Sequence, residues 1–300
     1  DRRGRGADRR EAHAHCPWIV TWDDHEVRNN YAGDEFVQGE LSTRAFKEIR
    51  AAAYQAYYEH LPLRVPERPD SGELEIYRSF EVGDLVEFDV LDGRQYRSGV
   101  SCGGDTGTRC DDATKPTRSM LGADQREWLA GALESSSATW NAIVQQTVFT
   151  PINFNNLFIN PDAWDGYQTE RQEIIDLLAG DSVANPLVLT GDIHMGVLLD
   201  VPRDDDNPGD DPVAHEIVTT SMTSENTTDG WADRLADLVP HLGQIRHFNP
   251  SDRGYTLQEF RPDEVLVRYR TVSTVHERPA SLATDASFRI ERGSGDVTEE

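Results

Sequence analysis

Asp23, Asp24, His25 and Glu26 stand in succession, with Asn29 and Asn30 close behind, directly after the apolar run Pro17 to Trp22. Carboxylates, amides and an imidazole crowded in this way are the donors that hard and borderline metal ions take. A second group lies far downstream, where Pro186-Leu187-Val188-Leu189-Thr190 runs into Gly191-Asp192-Ile193-His194. In extended chain residues i and i+2 point the same way, so Asp192 and His194 can aim at one ion, and Gly191 permits the turn that releases them. Either group alone reads equally well as loop-capping acids and hydrogen-bonded histidines. Two such groups, each at the end of an apolar run, point to a two-part metal site.

Rigid elements must hold these groups. Pro17 to Trp22 reads as a short buried strand. Leu41, Ala45, Ile49, Ala53, Tyr57 and Leu61 recur near every fourth position and predict a helix from Leu41 to His60, ended by Pro62. Alternation predicts strands over Leu74 to Phe80 and Leu85 to Leu91, joined at Gly83-Asp84. A loop from Arg94 to Thr117 follows, then a helix from Leu121 to Ser135 with Trp128, Leu129 and Leu133 inward, a strand from Trp140 to Thr150, a helix from Thr169 to Leu178 and the strand ending at Asp192. Further strands are expected at Val197 to Val201, Ala214 to Thr220 and Val265 to Val272, with a helix from Trp231 to Leu238. Strands with covering helices make an α/β chain, and such folds open their active-site crevices at the carboxyl ends of strands.

The 54 acidic residues against 29 basic ones leave a net charge of −25, which argues against nucleic-acid binding through a basic face. Any phosphate site must therefore draw its positive field from metals and arginines. No apolar run reaches the length of a membrane span. Asp204-Asp205-Asp206 and Asp210-Asp211 lack the spacing of a calcium loop and read as solvated faces. Cys102 and Cys110 bracket a glycine-rich loop. A bridge there would contribute roughly 2 to 3 kcal/mol and suit an oxidising compartment; the alternative is two free thiols. Cys16 reads as a small buried hydrophobe.

A series of stretches, in order along the chain, carries a family resemblance: Trp22 to Asn30, Leu91 to Arg97 (Leu-Asp-Gly-Arg-Gln-Tyr-Arg), Met120-Leu121-Gly122 with Gln125, Trp140 with Gln145-Gln146, Trp164 to Tyr167, Leu189 to His194, Thr219-Thr220-Ser221 and Arg253-Gly254-Tyr255. Over most of its length the chain resembles the PhoD-like alkaline phosphatases and phosphodiesterases of the calcineurin-like metallophosphoesterase superfamily. The resemblance implies a four-layer αββα sandwich, with residues 1–292 as part of the catalytic domain; residues 293–300 themselves read as a disordered tail. It implies hydrolysis of phosphate mono- or diesters by a metal-activated water in a secreted or periplasmic monomer. Ca²⁺ and Fe³⁺ are the metals it implies, while the donor types also admit Mg²⁺, Mn²⁺ or Zn²⁺. Asp24, Asn30, Asp192 and His194 become the expected ligands, with Asn29 competing with Asn30. His25 matches the histidine that stabilises the transition state or protonates the leaving group. Arg94 and Arg97 either clamp phosphate oxygens or pair with Asp92. Rival functions are a noncatalytic calcium-stabilised acidic surface protein and a metallohydrolase acting on a non-phosphate bond.

The resemblance also implies an earlier metal motif that does not occur before Asp23, so the chain is expected to be the C-terminal part of a longer domain. Little or no phosphatase turnover is expected from residues 1–300 alone, and high turnover once the extension is restored. Equal turnover by the two proteins would overturn that expectation.

Overall fold

The computed structural model describes residues 10–36, 41–65, 72–104, 107–108, 110–151, 157–158, 160–204, 207, 211–224, 239 and 242–300. Its elements run α1 (Thr43–His60), β1 (Arg78–Val82), β2 (Val86–Val90), β3 (Gly107–Thr108), α2 (Gly122–Ser135), β4 (Trp140–Val144), β5 (Leu157–Phe158), α3 (Gln168–Leu178), β6 (Pro186–Thr190), β7 (Gly196–Val201), β8 (Ala214–Val218), β9 (Ile245–Asn249), β10 (Gly254–Phe260), β11 (Glu264–Val272), β12 (Leu282–Glu291) and β13 (Val297–Glu299). Among the described residues the strands form a seven-stranded sheet, β1-β2-β4-β6-β8-β7-β9, a four-stranded sheet, β10-β11-β12-β13, and a short β3-β5 ladder.

In the large sheet β2, β4, β6 and β8 run parallel. Parallel neighbours need crossovers. Helices α2 and α3 lie between β2 and β4 and between β4 and β6, packing Leu129, Leu133, Ile174, Ile175 and Leu178 with Ile143 and Val188. The opposite face meets the small sheet, where Trp140, Leu187, Leu198 and Ile217 pack on Val265, Val267, Tyr269 and Phe288. Three layers result, helix on sheet on sheet. Burial on both faces explains why β6 reads as a nearly continuous apolar run, whereas β8, equally buried, carries His215 and Glu216 that are satisfied by hydrogen bonds.

Pro17 to Trp22 is not a strand and joins no sheet. Side chains fix it instead: Thr21 Oγ1 donates to Leu91 O (3.0 Å), Gln146 Nε2 donates to Thr21 Oγ1 (3.0 Å), and Arg78 Nη2 donates to Val20 O (2.8 Å). Trp22 stacks on Tyr54 of α1 with ring centroids 4.0 Å apart. The buried face of α1 is Phe46, Arg50, Tyr54 and Tyr57, while Ile49 of the predicted stripe is exposed. Aromatic contact with Trp22 and Tyr31, not aliphatic spacing, sets the rotation of that helix.

Other boundaries moved for reasons of hydrogen bonding. The strand predicted from Leu74 begins at Arg78, because the Gln95 side chain takes both the N–H and the carbonyl of Leu74 (3.1 Å each). The strand predicted to reach Thr150 stops at Val144, and beyond it the N–H groups of Phe149 and Thr150 turn to the buried Glu216 carboxylate (2.8 and 2.7 Å). Residues 293–300 are not a disordered tail: β13 pairs with β12, and Gly295 O accepts a hydrogen bond from His215 Nε2 (2.7 Å). Cys102 and Cys110 are bridged, and Cys16 is exposed rather than buried. The predicted helix Trp231 to Leu238, and Asp205, Asp206 and Asp210, lie outside the described residues. No described helix is long and apolar enough to cross a membrane.

Asp89 faces Ser79 across the β1/β2 ladder, accepts its hydroxyl (2.5 Å) and keeps Oδ2 buried with no hydrogen-bond partner among the described residues. Burial, opposed by Ser79 and reinforced by Glu87, raises its carboxyl to about 6. The folded state thus holds this proton more tightly than the unfolded chain, so the associated stability is full below about pH 4 and is lost as pH rises through 6. Asp89→Asn is expected to match the wild type near pH 4 and to exceed it near pH 7 by at most about 3 kcal/mol. Urea unfolding at the two pH values checks this; an unchanged difference between them would show that the carboxylate carries no such cost.

Candidate metal centre

The carboxyl ends of β2, β4 and β6 bring Leu91 to Arg97, Gln145-Gln146 and Gly191 to His194 to one end of the sheet. Gln146 ties them together. Its Oε1 accepts from Gly93 N (2.9 Å), its Nε2 donates to Leu91 O (2.8 Å), and its carbonyl accepts from Gly191 N (3.1 Å). A Cβ at Gly93 would stand 2.7 Å from Gln146 Oε1, so only glycine admits this approach. Below Gly191, Thr190 Oγ1 donates to Glu216 Oε1 (2.6 Å) and accepts from Gln145 Nε2 (2.6 Å). Burial raises the Glu216 carboxyl against the donors that surround it.

On this frame Asp23, Asp24 and Asp192 converge, each offering a carboxylate oxygen within 4.8 Å of the others. Asp24 and Asp192 are ligands expected from the sequence. Asp23 was not assigned, although it stands in the same run of acids, which was the available signal. Asp24 Oδ2 accepts from the backbone N–H of Asn30 (2.9 Å), so Asn30 anchors a carboxylate whatever its own amide does. Asn29 turns its Oδ1 to His25 Nε2 (3.0 Å), and the His25 side chain is exposed beside Asp24 (4.0 Å). His194 shares the turn of Asp192 but is not one of the three converging groups; its carbonyl accepts from Thr220 Oγ1 (3.0 Å). Asn30, Asp192 and His194 all hold positive φ, at 54°, 69° and 57°. That region is uncommon for residues with a side chain, and such strain concentrates at functional sites.

Arg94 does not pair with Asp92. The Asp92 carboxylate caps the backbone, accepting from Arg94 N (3.0 Å) and Gln95 N (2.9 Å). The Arg94 guanidinium, with no exposed surface, runs to the acidic cluster: Nε donates to Asp23 Oδ1 (2.5 Å), Nη1 donates to Asp162 Oδ2 (2.7 Å), and Nη2 lies 3.7 Å from Asp192 Oδ1 without a hydrogen bond. Arg97 does not meet the expectation of a substrate clamp. Its Nε donates to Tyr31 O (3.2 Å), Nη1 to Asp162 O (2.7 Å) and Nη2 to Asp162 Oδ1 (2.5 Å), so every nitrogen is engaged within the protein. Asp162 is the second acid missed by sequence reasoning, where its nearest signal was the neighbouring Trp164 to Tyr167.

Burial, then Asp23, pushes the Asp192 carboxyl well above the usual range despite Arg94. Burial alone would lower Arg94, but Asp23, Asp162, Asp192 and Asp24 hold it well above its ordinary value. Four carboxyl groups thus face two guanidinium groups in a largely buried space, an excess of acid that burial and mutual repulsion answer by making Asp192 hold its proton. Clustered hard oxygens in such excess fit a hard cation.

The chain is similar to known proteins along most of its length. The family model described as PhoD-like phosphatase matches residues 3–269. Alkaline phosphatase D of Bacillus subtilis (strain 168) is 38% identical over 288 residues, which cover 94% of this chain and 48% of the relative. A solved structure of PhoD superposes with a TM-score of 0.87 at 36% identity, covering 96% of this chain and 55% of that one. The chain therefore spans about half the length of the relatives it matches. With a match over most of its residues and a shared mixed α/β fold, the chain belongs to the PhoD-like phosphatase family.

Proposed function

We propose that this chain carries the reaction centre of a metal-dependent phosphoric ester hydrolase acting on phosphate mono- or diesters. The convergence of Asp23, Asp24 and Asp192, beside the buried guanidinium of Arg94, is the observation that carries the reading. Asp24 and Asp192, with Asp23, Asn30 or Asn29, and His194, hold the metal, for which Ca²⁺ and Fe³⁺ are the first choices and Mg²⁺, Mn²⁺ and Zn²⁺ the alternatives. When bound, such ions supply Lewis acidity toward phosphoryl oxygens and make water a usable nucleophile near neutral pH.

The protein's own groups do the rest. Arg94, with no exposed surface, acts through the carboxylates: it holds Asp23 and stands 3.7 Å from Asp192, offsetting part of their repulsion where they face the metal. His25 is taken as the group that gives a proton to the departing ester oxygen, a reading supported by its exposure and its contact with Asn29. Arg97 braces the site from behind. The three described layers support the reading of a four-layer αββα sandwich, and the Cys102–Cys110 bridge supports a secreted or periplasmic location.

Hydrolysis of a matched phosphomonoester and phosphodiester by the full-length protein, with Ca²⁺ added or chelated, tests the proposal in the wild type and Asp192→Ala. The expected result is metal-dependent turnover that falls by at least about 100-fold in the variant, more than loss of an outer partner of a ligand costs. Ca²⁺ at a hundred times its Kd should also stabilise the wild type by about 2.7 kcal/mol, and Asp192→Asn should erase that gain. Metal-dependent melting without turnover of either ester would favour a noncatalytic calcium-stabilised protein instead.

A further inference from the structure

We propose that Arg253 is a substrate-binding residue of this site, a guanidinium beside the metal turn that takes a phosphoryl oxygen of the ester. The inference rests on the phosphoesterase reading and adds to it the group that recognises the phosphate. Arg94 and Arg97 are buried and spent on Asp23 and Asp162. Arg253 is partly exposed and, among the described residues, forms no ion pair, although the chain carries a net charge of −25. The neighbouring Asp252 carboxylate is taken by Asn249 Nδ2 (3.0 Å), which also donates to Asp285 (2.8 Å). What Arg253 meets instead are two backbone carbonyls near the limit of hydrogen bonding, with Nε donating to Ser224 O (3.3 Å) and Nη1 to Ser251 O (3.4 Å). Its Nη2 makes no hydrogen bond among the described residues.

Hydrogen bonds along its loop place this cation. Thr220 Oγ1, just past β8, lies within reach of both His194 O (3.0 Å) and Asp252 O (2.7 Å), so the residue before Arg253 sits against the turn that carries Asp192 and His194. Strand β8 neighbours β6, and Thr219 N donates to Thr190 O (2.8 Å). Ser221 and Ser224, along which Arg253 lies, therefore stand at the same end of the sheet as the acids. The backbone of the loop is fastened on every side: Asn249 Oδ1 accepts from Ser251 N (3.1 Å) and Asp252 N (3.0 Å), Gly254 N donates to Ser221 O (3.0 Å), and Val272 N donates to Arg253 O (2.9 Å). A Cβ at Gly254 would stand 1.8 Å from Arg270 O, so only glycine lets the two strands close here. A firmly held backbone thus presents a side chain whose own contacts are long and neutral. Guanidinium forks match phosphate oxygens, and charge-assisted bonds of that kind are roughly twice as strong as neutral ones. Exchanging the two carbonyls for a phosphate is therefore favourable.

The test is inhibition of ester turnover by inorganic phosphate in the Ca²⁺-loaded full-length protein, comparing the wild type with Arg253→Gln and Arg253→Lys. In Arg253→Gln the phosphate inhibition constant is expected to rise at least tenfold, about 1.4 kcal/mol, and KM for a phosphomonoester to rise with it, while the Ca²⁺ dependence of melting stays as in the wild type. Arg253→Lys keeps the charge without the fork and should fall between the two. Unchanged constants in a folded Arg253→Gln overturn the proposal, whatever its melting temperature. A measurement on the wild type needs no variant: phenylglyoxal, which condenses with accessible guanidinium groups, should label Arg253, and phosphate should protect it while the exposed Arg292 is labelled equally in both conditions. Labelling of Arg253 indifferent to phosphate, in a protein that hydrolyses phosphate esters, removes the role of Arg253 and leaves the phosphoesterase reading intact. A wild type that neither binds phosphate nor turns over an ester removes both.

Discussion

A guanidinium group shut away from water among carboxylates is the interaction on which the site depends. Arg94 has no exposed surface, a condition that is strongly unfavourable for a lone charge and tolerable only with charged partners in good geometry. Conversely, Asp23, Asp24 and Asp192 stand close enough to repel one another, and Arg94 offsets part of that repulsion. Neither side is stable without the other. The coupling obliges three distant parts of the chain to arrive together: the segment after Trp22, the exit of β2 and the turn at Asp162.

Each arrival is enforced by a separate device. Aromatic stacking on Tyr54 seats Trp22, and with it the acids that follow. Gln146 fastens the exits of β2 and β6 to β4 through backbone and side-chain hydrogen bonds. Glu216, wholly buried, gathers Thr190 and the turn at Phe149 and Thr150 beneath them. Such buried polar networks are rigid when fully satisfied. The acids above are therefore held by the frame, not by one another.

Much of this was legible in the chain itself. The parallel core strands β4 and β6, and both crossover helices, carry apolar patterns that are local and strong. Asp24, Asp192 and Arg94 stood out because their types are unusual at the exits of apolar runs. What escaped was set by tertiary contacts. Pro17 to Trp22 is apolar for the sake of an aromatic cluster, not a ladder, and the face of α1 follows Tyr54 and Tyr57 rather than Ile49. Strands β9, β10 and β12 are only partly buried, so their alternation is diluted with polar residues. Asp162 gave no pattern at all, since its partners lie 65 and 68 positions away.

The left-handed backbone at Asn30, Asp192 and His194 has a consequence for descent. Glycine is the residue that backbone geometry alone would choose at all three positions. A lineage released from the need for their side chains would be free to drift there, and glycine would ease the fold as it abolished the donors. Glycine at these positions in a related gene would therefore be the mark of a copy that kept the architecture and abandoned the chemistry, readable without any assay.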